Sequence, residues 1–181
     1  MILPSPGLVT DRLVLRSLSE ADIDGPYAGW MLDKAVTQFL ELRIAPPDRD
    51  DLLGFVTKLN LSNDNLLLGV FCRDDGRHIG NIRLGPINRH HAHANIGILL
   101  GDRGSWGLGF ASEAIGSIAS YAFRELGTAK LSAGLYAVNV GSRRAFEKAG
   151  FAVEATRYAH VVLDGTRIDV IEMARFREGL T

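Results

Sequence analysis

The sequence predicts an α/β (α+β) domain on one central mixed, mostly antiparallel sheet, and three observations carry that prediction. Three strand-like runs follow one another between residues 65 and 102, joined by short polar connections. A long stretch of helical periodicity comes next, over residues 111 to 126. The chain then closes on two alternating runs around Asp164-Gly165, the signature of a tight hairpin.

Taken in order, "DRLVLRSLS" sets Leu13, Leu15 and Leu18 against Arg12 and Arg16 and reads as a first strand. Ser19, followed by Glu20, Asp22 and Asp24, is suited to open a helix through a capping side chain and acids near the positive end of the dipole. Pro46-Pro47 closes that region, and "PDRDDLLGFVTKLNLS" gives a second helix with Leu52, Leu53, Val56 and Leu59 on one face. "NLLLGVFC", "HIGNIRLGPI" and "NIGILLGD" form the meander, the last two joined by the polar connection "NRHHAHA". Ala114, Ile115, Ile118, Ala119, Ala122, Phe123 and Leu126 share the apolar face of the long helix, which Gly127 ends. "KLSAGLYAV", the short helix "GSRRAFEKA" and the terminal pair "VEATRYAHVVL" and "TRIDVIEMARF" complete a sheet of about seven strands flanked by about four helices.

At 181 residues, 46% hydrophobic and 23% charged with a formal net charge of -1, the chain suits one soluble domain over residues 1–181. Lys and Arg are nearly matched by Asp and Glu, so nothing calls for nucleic acid. No run approaches the roughly 18 apolar residues of a membrane span, and the amino terminus lacks the pattern of a leader, which together imply a cytoplasmic protein. Cys72 is the only cysteine and lies in an apolar strand, where it serves as core filler. His90, His91 and His93 lie in a short polar connection without neighbouring thiols or carboxylates, and no metal site is expected there.

"GSWGLGFASEAI" places Gly104, Gly107 and Gly109 directly before the long helix. The first amides of a helix have no internal partners, and bare glycines let an anion approach them. Taken alone, the pattern fits a phosphate cradle and a loop needing positive φ equally well. A nicotinamide reading of "GLGFAS" lacks the ribose-binding acid, because the next strand ends at Val138-Asn139. A nucleoside-triphosphate loop lacks its Lys-Ser/Thr ending.

The glycine loop and "NVGSRRAFEKAGF", in that order on those elements, together resemble the GNAT acyl-CoA N-acetyltransferases. The resemblance runs from "TDRLVLRSL" to "IDVIEMARF", and its phrasing is similar to the branch of the ribosomal-protein alanine acetyltransferases and to members that acetylate amino sugars on nucleotide carriers. It implies acetyl-CoA as cosubstrate, with the backbone of Trp106, Gly107, Leu108, Gly109, Phe110 and Ala111 around the pyrophosphate. The main chain of Ile98, Leu99 and Leu100 would hold the pantetheine arm. Gly104 stands where family members often carry Gln or Arg, so either Arg103, one residue earlier, serves through a shifted loop or backbone groups suffice.

Direct transfer to an amine needs a neutral nucleophile and a proton for the leaving thiolate. The resemblance places the sulfur donor near the short helix, where family members often carry Tyr; here that position is Phe146, so Ser142 is the candidate donor and Asn139 a cofactor contact. Asn95 stands at a place that is often acidic in relatives, leaving His93 and Glu41 as candidate bases. Trp30 and Phe39 are candidates for lining an acceptor pocket, and His160 and Asp169 for shaping it from the terminal hairpin. The expected acceptor is a small-molecule amine, such as an amino-sugar nucleotide, or a protein amino terminus, and the resemblance is compatible with a homodimer. Phe146 and Asn95 also motivate a rival, a coenzyme-A-binding module that has lost catalysis.

Overall fold

A computed structural model describes residues 1–179. Its centre is an eight-stranded sheet in the order β1-β2-β3-β4-β5-β6-β8-β7. The strands are β1 (Leu8–Val9), β2 (Leu13–Ser17), β3 (Leu66–Cys72), β4 (His78–Asn88), β5 (His93–Leu100), β6 (Lys130–Tyr136), β7 (Ala152–Leu163) and β8 (Thr166–Phe176). Every neighbouring pair is antiparallel except β5 and β6, which run parallel. The mixed, mostly antiparallel expectation holds, with the two-residue β1 as an addition too short to leave a pattern in sequence.

Between β2 and β3 lie α1 (Glu20–Asp22), a π turn (Ile23–Tyr27), α2 (Ala28–Leu32), α3 (Lys34–Thr37) and α4 (Arg49–Leu61). Gly25 and Pro26 interrupt the first helical stretch, because a proline there removes an amide donor and Gly25 takes a non-helical ψ. Asp48 starts α4 by accepting from Asp51 N at 2.9 Å, while Asp48 N donates back to the Asp51 carboxylate. α5 (Phe110–Glu125) crosses from β5 to β6, and α6 (Val140–Lys148) follows β6.

The two helical layers cover opposite faces of the sheet. Ile115, Ile118, Ala119 and Ala122 of α5 pack with Leu13, Leu66, Leu68, Ile82, Ile96 and Leu131. Ile23, Tyr27, Trp30, Leu52, Val56 and Leu59 pack with Leu67 and Phe71 on the other face. β3 is buried along its whole length because it is covered on both sides, which explains a continuous apolar run instead of an alternating one. Fully burying one such aliphatic side chain contributes about 1.5–3 kcal/mol, so the central strands fix the frame from which the outer ones project.

The β4–β5 connection is shorter than the sequence pattern suggests: β4 extends to Asn88 and β5 begins at His93, which is therefore a strand residue. Asp164 and Gly165 take φ of 48° and 79°, the two positive values that a tight primed hairpin turn requires. Cys72 is buried, and burial pushes its thiol pKa up. Among the described residues no helix is long and apolar enough to cross a membrane.

Candidate active site

The parallel join between β5 and β6 is the feature that makes a site. The two strands pair only through His93–Lys130, Ala94–Leu131 and Asn95–Ser132. β5 then continues to Leu100 and β6 to Tyr136 without further pairing between them. A strand edge released from its ladder leaves amides and carbonyls facing the gap, and these are obligatory hydrogen-bonding groups. The result is a V whose vertex is Asn95–Ser132 and whose arms include Ile98, Leu99 and Leu100 on one side. Ile98 and Leu100 turn their side chains to the α5 core and Leu99 to the opposite one, so packing occupies the side chains of this arm and not its unpaired main-chain edge.

The β5 arm leads directly to the amino end of α5. Gly109 caps α5 in the left-handed region at φ 84°, and Gly107 has φ 75°. Both values strain any residue with a Cβ, so these glycines shape the loop as well as baring it. No side chain caps the first turn, which leaves amides at the positive end of a sixteen-residue helix. Trp106 Nε1 donates to Leu100 O at 2.9 Å and closes the loop over the end of β5. Trp106, Leu108, Val138 and Val140 are exposed around this mouth.

Arg103 occupies the turn before the cradle, 3.7 Å from the Asp33 carboxylate and over the Trp106 ring, with its side chain largely exposed. Arg12, which sequence reasoning treated only as the polar face of a strand, is more deeply involved. Its Nη1 donates to Leu108 O at 3.0 Å, its Nε to Glu113 at 2.7 Å, and its guanidinium lies over Phe110. Glu113 also accepts from Thr10 Oγ1 and Arg12 N. Burial acts to raise the Glu113 pKa, but these donors outweigh it and hold the carboxyl below its ordinary range.

On α6, Asn139 Oδ1 accepts from Ser142 N at 3.1 Å, so Asn139 is the helix cap. That uses its oxygen and leaves the amide NH2. Phe146, 3% exposed, is edge-on to Phe151 and belongs to the core.

The opposite face of the V is built from distant segments. Tyr136 OH, at the tip of β6, donates to Glu41 Oε1 and accepts from Arg43 Nη1 at 3.1 Å. Burial raises the Tyr136 pKa and the Glu41 carboxylate adds to it, so the phenol stays protonated. Arg43 continues to Val162 O of β7 at 2.9 Å, and the Phe39 ring stands edge-on to Tyr136. Glu41 and Phe39 thus come together. His93 does not join them: it pairs with Lys130, six residues before Tyr136, about 20 Å along a strand. Its Nε2 lies 3.0 Å from Ser132 Oγ at the vertex, and desolvation followed by the Lys130 charge lowers its pKa, so the ring is neutral near pH 7.

Trp30 is a core residue: it is 7% exposed, edge-on to His78, and packed where a Cβ on Gly101 would collide with it. Asp169 accepts from Ala159 N at 2.7 Å and fixes an irregularity in β7; His160 is exposed. Among the described residues no three His, Cys, Asp or Glu side chains are grouped to hold a metal, and His90 and His91 meet only edge to face.

Comparison with known proteins places this geometry. The model of the acetyltransferase (GNAT) domain matches residues 12–152. An uncharacterized N-acetyltransferase, YoaA of Bacillus subtilis, is 28% identical over 165 residues, covering 91% of this chain and 93% of its own. Two solved structures share the fold. Spermidine N-acetyltransferase from Vibrio cholerae, in complex with CoA and spermine, superposes with a TM-score of 0.81 at 22% identity over 92% of this chain and 96% of that one. RimL, a ribosomal L7/L12 α-N-protein acetyltransferase in complex with coenzyme A, gives 0.83 at 19% identity over 97% and 98%. The splayed parallel strands, the uncapped helix after the glycine loop and the family match agree: the chain belongs to the GNAT acetyltransferase family and is an acyltransferase with acetyl-CoA as its cosubstrate.

Proposed function

We propose that this chain, as one transferase domain, moves acetyl directly from acetyl-CoA to a primary amine without an acyl-enzyme. The observation that carries the reading is the β5–β6 ladder, which stops after three residue pairs while both strands continue toward the bare amides of α5. Acetyl-CoA supplies the activated acyl group. The main chain from Trp106 to Ala111 receives the pyrophosphate, with Arg103 beside it, and Ile98 to Leu100 offer their free edge to the pantetheine arm. The Asn139 amide NH2 is a further donor to the arm. Ser142, in the first turn of α6, holds the proton for the departing sulfur. Glu41 and His93 are the flanking polar groups of the acceptor face, the first held by Tyr136 and the second, neutral, by Ser132.

For the acceptor we infer an amine on a neutral or anionic body, of which an amino-sugar nucleotide is the leading class, within the branch of the ribosomal-protein alanine and amino-sugar acetyltransferases. Glu41 and Glu172 each have an arginine nearby: Arg43 Nη1 lies 3.8 Å from Glu41, and Arg157 Nη2 2.9 Å from Glu172. Arg83, in register with Gly97, adds a further cation. That balance does not favour a polycation. The test is thiol release from acetyl-CoA with an amino-sugar nucleotide, a peptide bearing a free N-terminal alanine, and spermidine. The amino-sugar nucleotide is expected to give the highest kcat/KM; a clear preference for spermidine overturns the acceptor reading.

A further inference from the structure

Beyond the vertex of the V, strand alternation puts Gly97 of β5 and Gly134 of β6 on the acceptor face, and both are exposed. The floor there is bare main chain. One carboxylate reaches over it. Glu172 of β8 is in register with Gly134. A Cβ built on Gly134 would lie only 3.3 Å from Glu172 Oε2 and 3.5 Å from Oε1. Arg157 of β7 holds Oε1 from the other side at 2.9 Å. The carboxylate therefore lies over the bare main chain of Gly134, with Oε1 engaged by Arg157 and Oε2 without a salt-bridge partner among the described residues. Ile171 and Met173, its neighbours in sequence, point into the α5 core, so Glu172 is a partly buried acid set between two core residues. A charged side chain in such a position needs a partner or a use.

We propose that Glu172 binds the acceptor's ammonium through Oε2 and is the base that takes its proton. This rests on the reading of the V as the site of acetyl transfer. The ammonium N–H bond breaks toward Oε2, and nitrogen keeps the electron pair that forms the bond to the acetyl carbon as the carbon–sulfur bond breaks. Of the two protons the nitrogen sheds, one passes through Glu172 to water and the other ends on the departing sulfur. Gly134 is what admits the carboxylate, and Arg157 is its positioning residue.

The test uses the full chain with acetyl-CoA and the best amine among the amino-sugar nucleotide, the alanine peptide and spermidine. For Glu172→Gln, kcat/KM for the amine is expected to fall by about 100-fold or more, the usual contribution of a positioned base. Acetyl-CoA affinity by calorimetry and Tm should stay as in the wild type. Glu172→Asp should restore part of the rate, and Arg157→Gln should give a smaller loss that Arg157→Lys partly restores. Wild-type turnover with an unimpaired Glu172→Gln, or equal damage to acetyl-CoA binding and Tm, overturns the role of Glu172 alone. A wild type that binds acetyl-CoA but acetylates none of the amines overturns the transfer reading and this one with it.

Discussion

The two sides of the V are built in opposite ways. The side proposed to take the acyl donor is mostly main chain from one continuous stretch, β5, the glycine loop and the first turn of α5, with Arg12 and Glu113 bracing it from outside. The side proposed for the acceptor is mostly side chains from separated segments: Glu41 and Arg43 between α3 and α4, Tyr136 on β6, Arg157 on β7 and Glu172 on β8. A backbone site binds a fixed ligand and tolerates side-chain change. A side-chain site can be retuned one residue at a time, which suits a family fold whose solved members are named for acceptors as different as spermidine and a ribosomal protein.

If that division is right, substitutions on the donor side should damage acetyl-CoA binding, and those on the acceptor side should spare it. The largest binding effect is expected from Gly109→Val. A β-branched residue at φ 84° costs on the order of 1–3 kcal/mol. Calorimetry should show acetyl-CoA affinity reduced by about 10-fold to 100-fold. An unchanged affinity would mean that the loop is not the cradle.

Ser142→Ala comes next, with kcat down about 10-fold or more and acetyl-CoA affinity retained, since only a proton donor is removed. An intact kcat would move the donor elsewhere. Tyr136→Phe removes the hydroxyl shared by Glu41 and Arg43. Leaving such groups short of a partner costs about 1–3 kcal/mol at most. The expected readout is a raised KM for the amine with acetyl-CoA binding unaltered; loss of acetyl-CoA binding instead would break the separation of the two sides. Arg12→Ala should weaken acetyl-CoA binding only a few-fold, and less at high salt, because the pair with Glu113 is partly exposed.

A pH effect distinguishes the helical layer of the acceptor face. Burial acts to raise the Asp22 pKa, yet hydrogen bonds from Arg16 and Ser19 overcome it and bring it down to about 2. A carboxyl whose pKa is depressed on folding stabilises above its unfolded value, near pH 4, and that contribution is lost as pH falls toward about 2. Hydrogen-exchange protection around α1, relative to the intrinsic rate at each pH, should fall across this window. Arg16→Met should flatten the dependence, and an unchanged profile in that variant would mean that the ion pair does not set it.

The same division explains what the sequence made legible. The glycine loop was readable because its residues are contiguous and the positive φ of Gly107 and Gly109 is written as glycine. The meander, α5 and the Asp164-Gly165 hairpin were readable because period and turn chemistry are local. Tyr136 was not, since its partners are 95 and 93 residues away in sequence and only the sheet order brings them together. Glu172 did leave a signal, an acid between the apolar pairs of "VIEMA", and Gly134 opposite it another. Reading them together required the β6–β8 register. His93 was drawn into the connection by its polar neighbours, although β5 already begins there.

The most direct test of the account is a calorimetric titration of the purified chain with acetyl-CoA, with NADH as control. Micromolar, one-to-one binding of acetyl-CoA and no binding of NADH is the predicted result. Absence of acetyl-CoA binding, or tight binding of NADH in its place, would contradict the assignment of the V and its glycine loop.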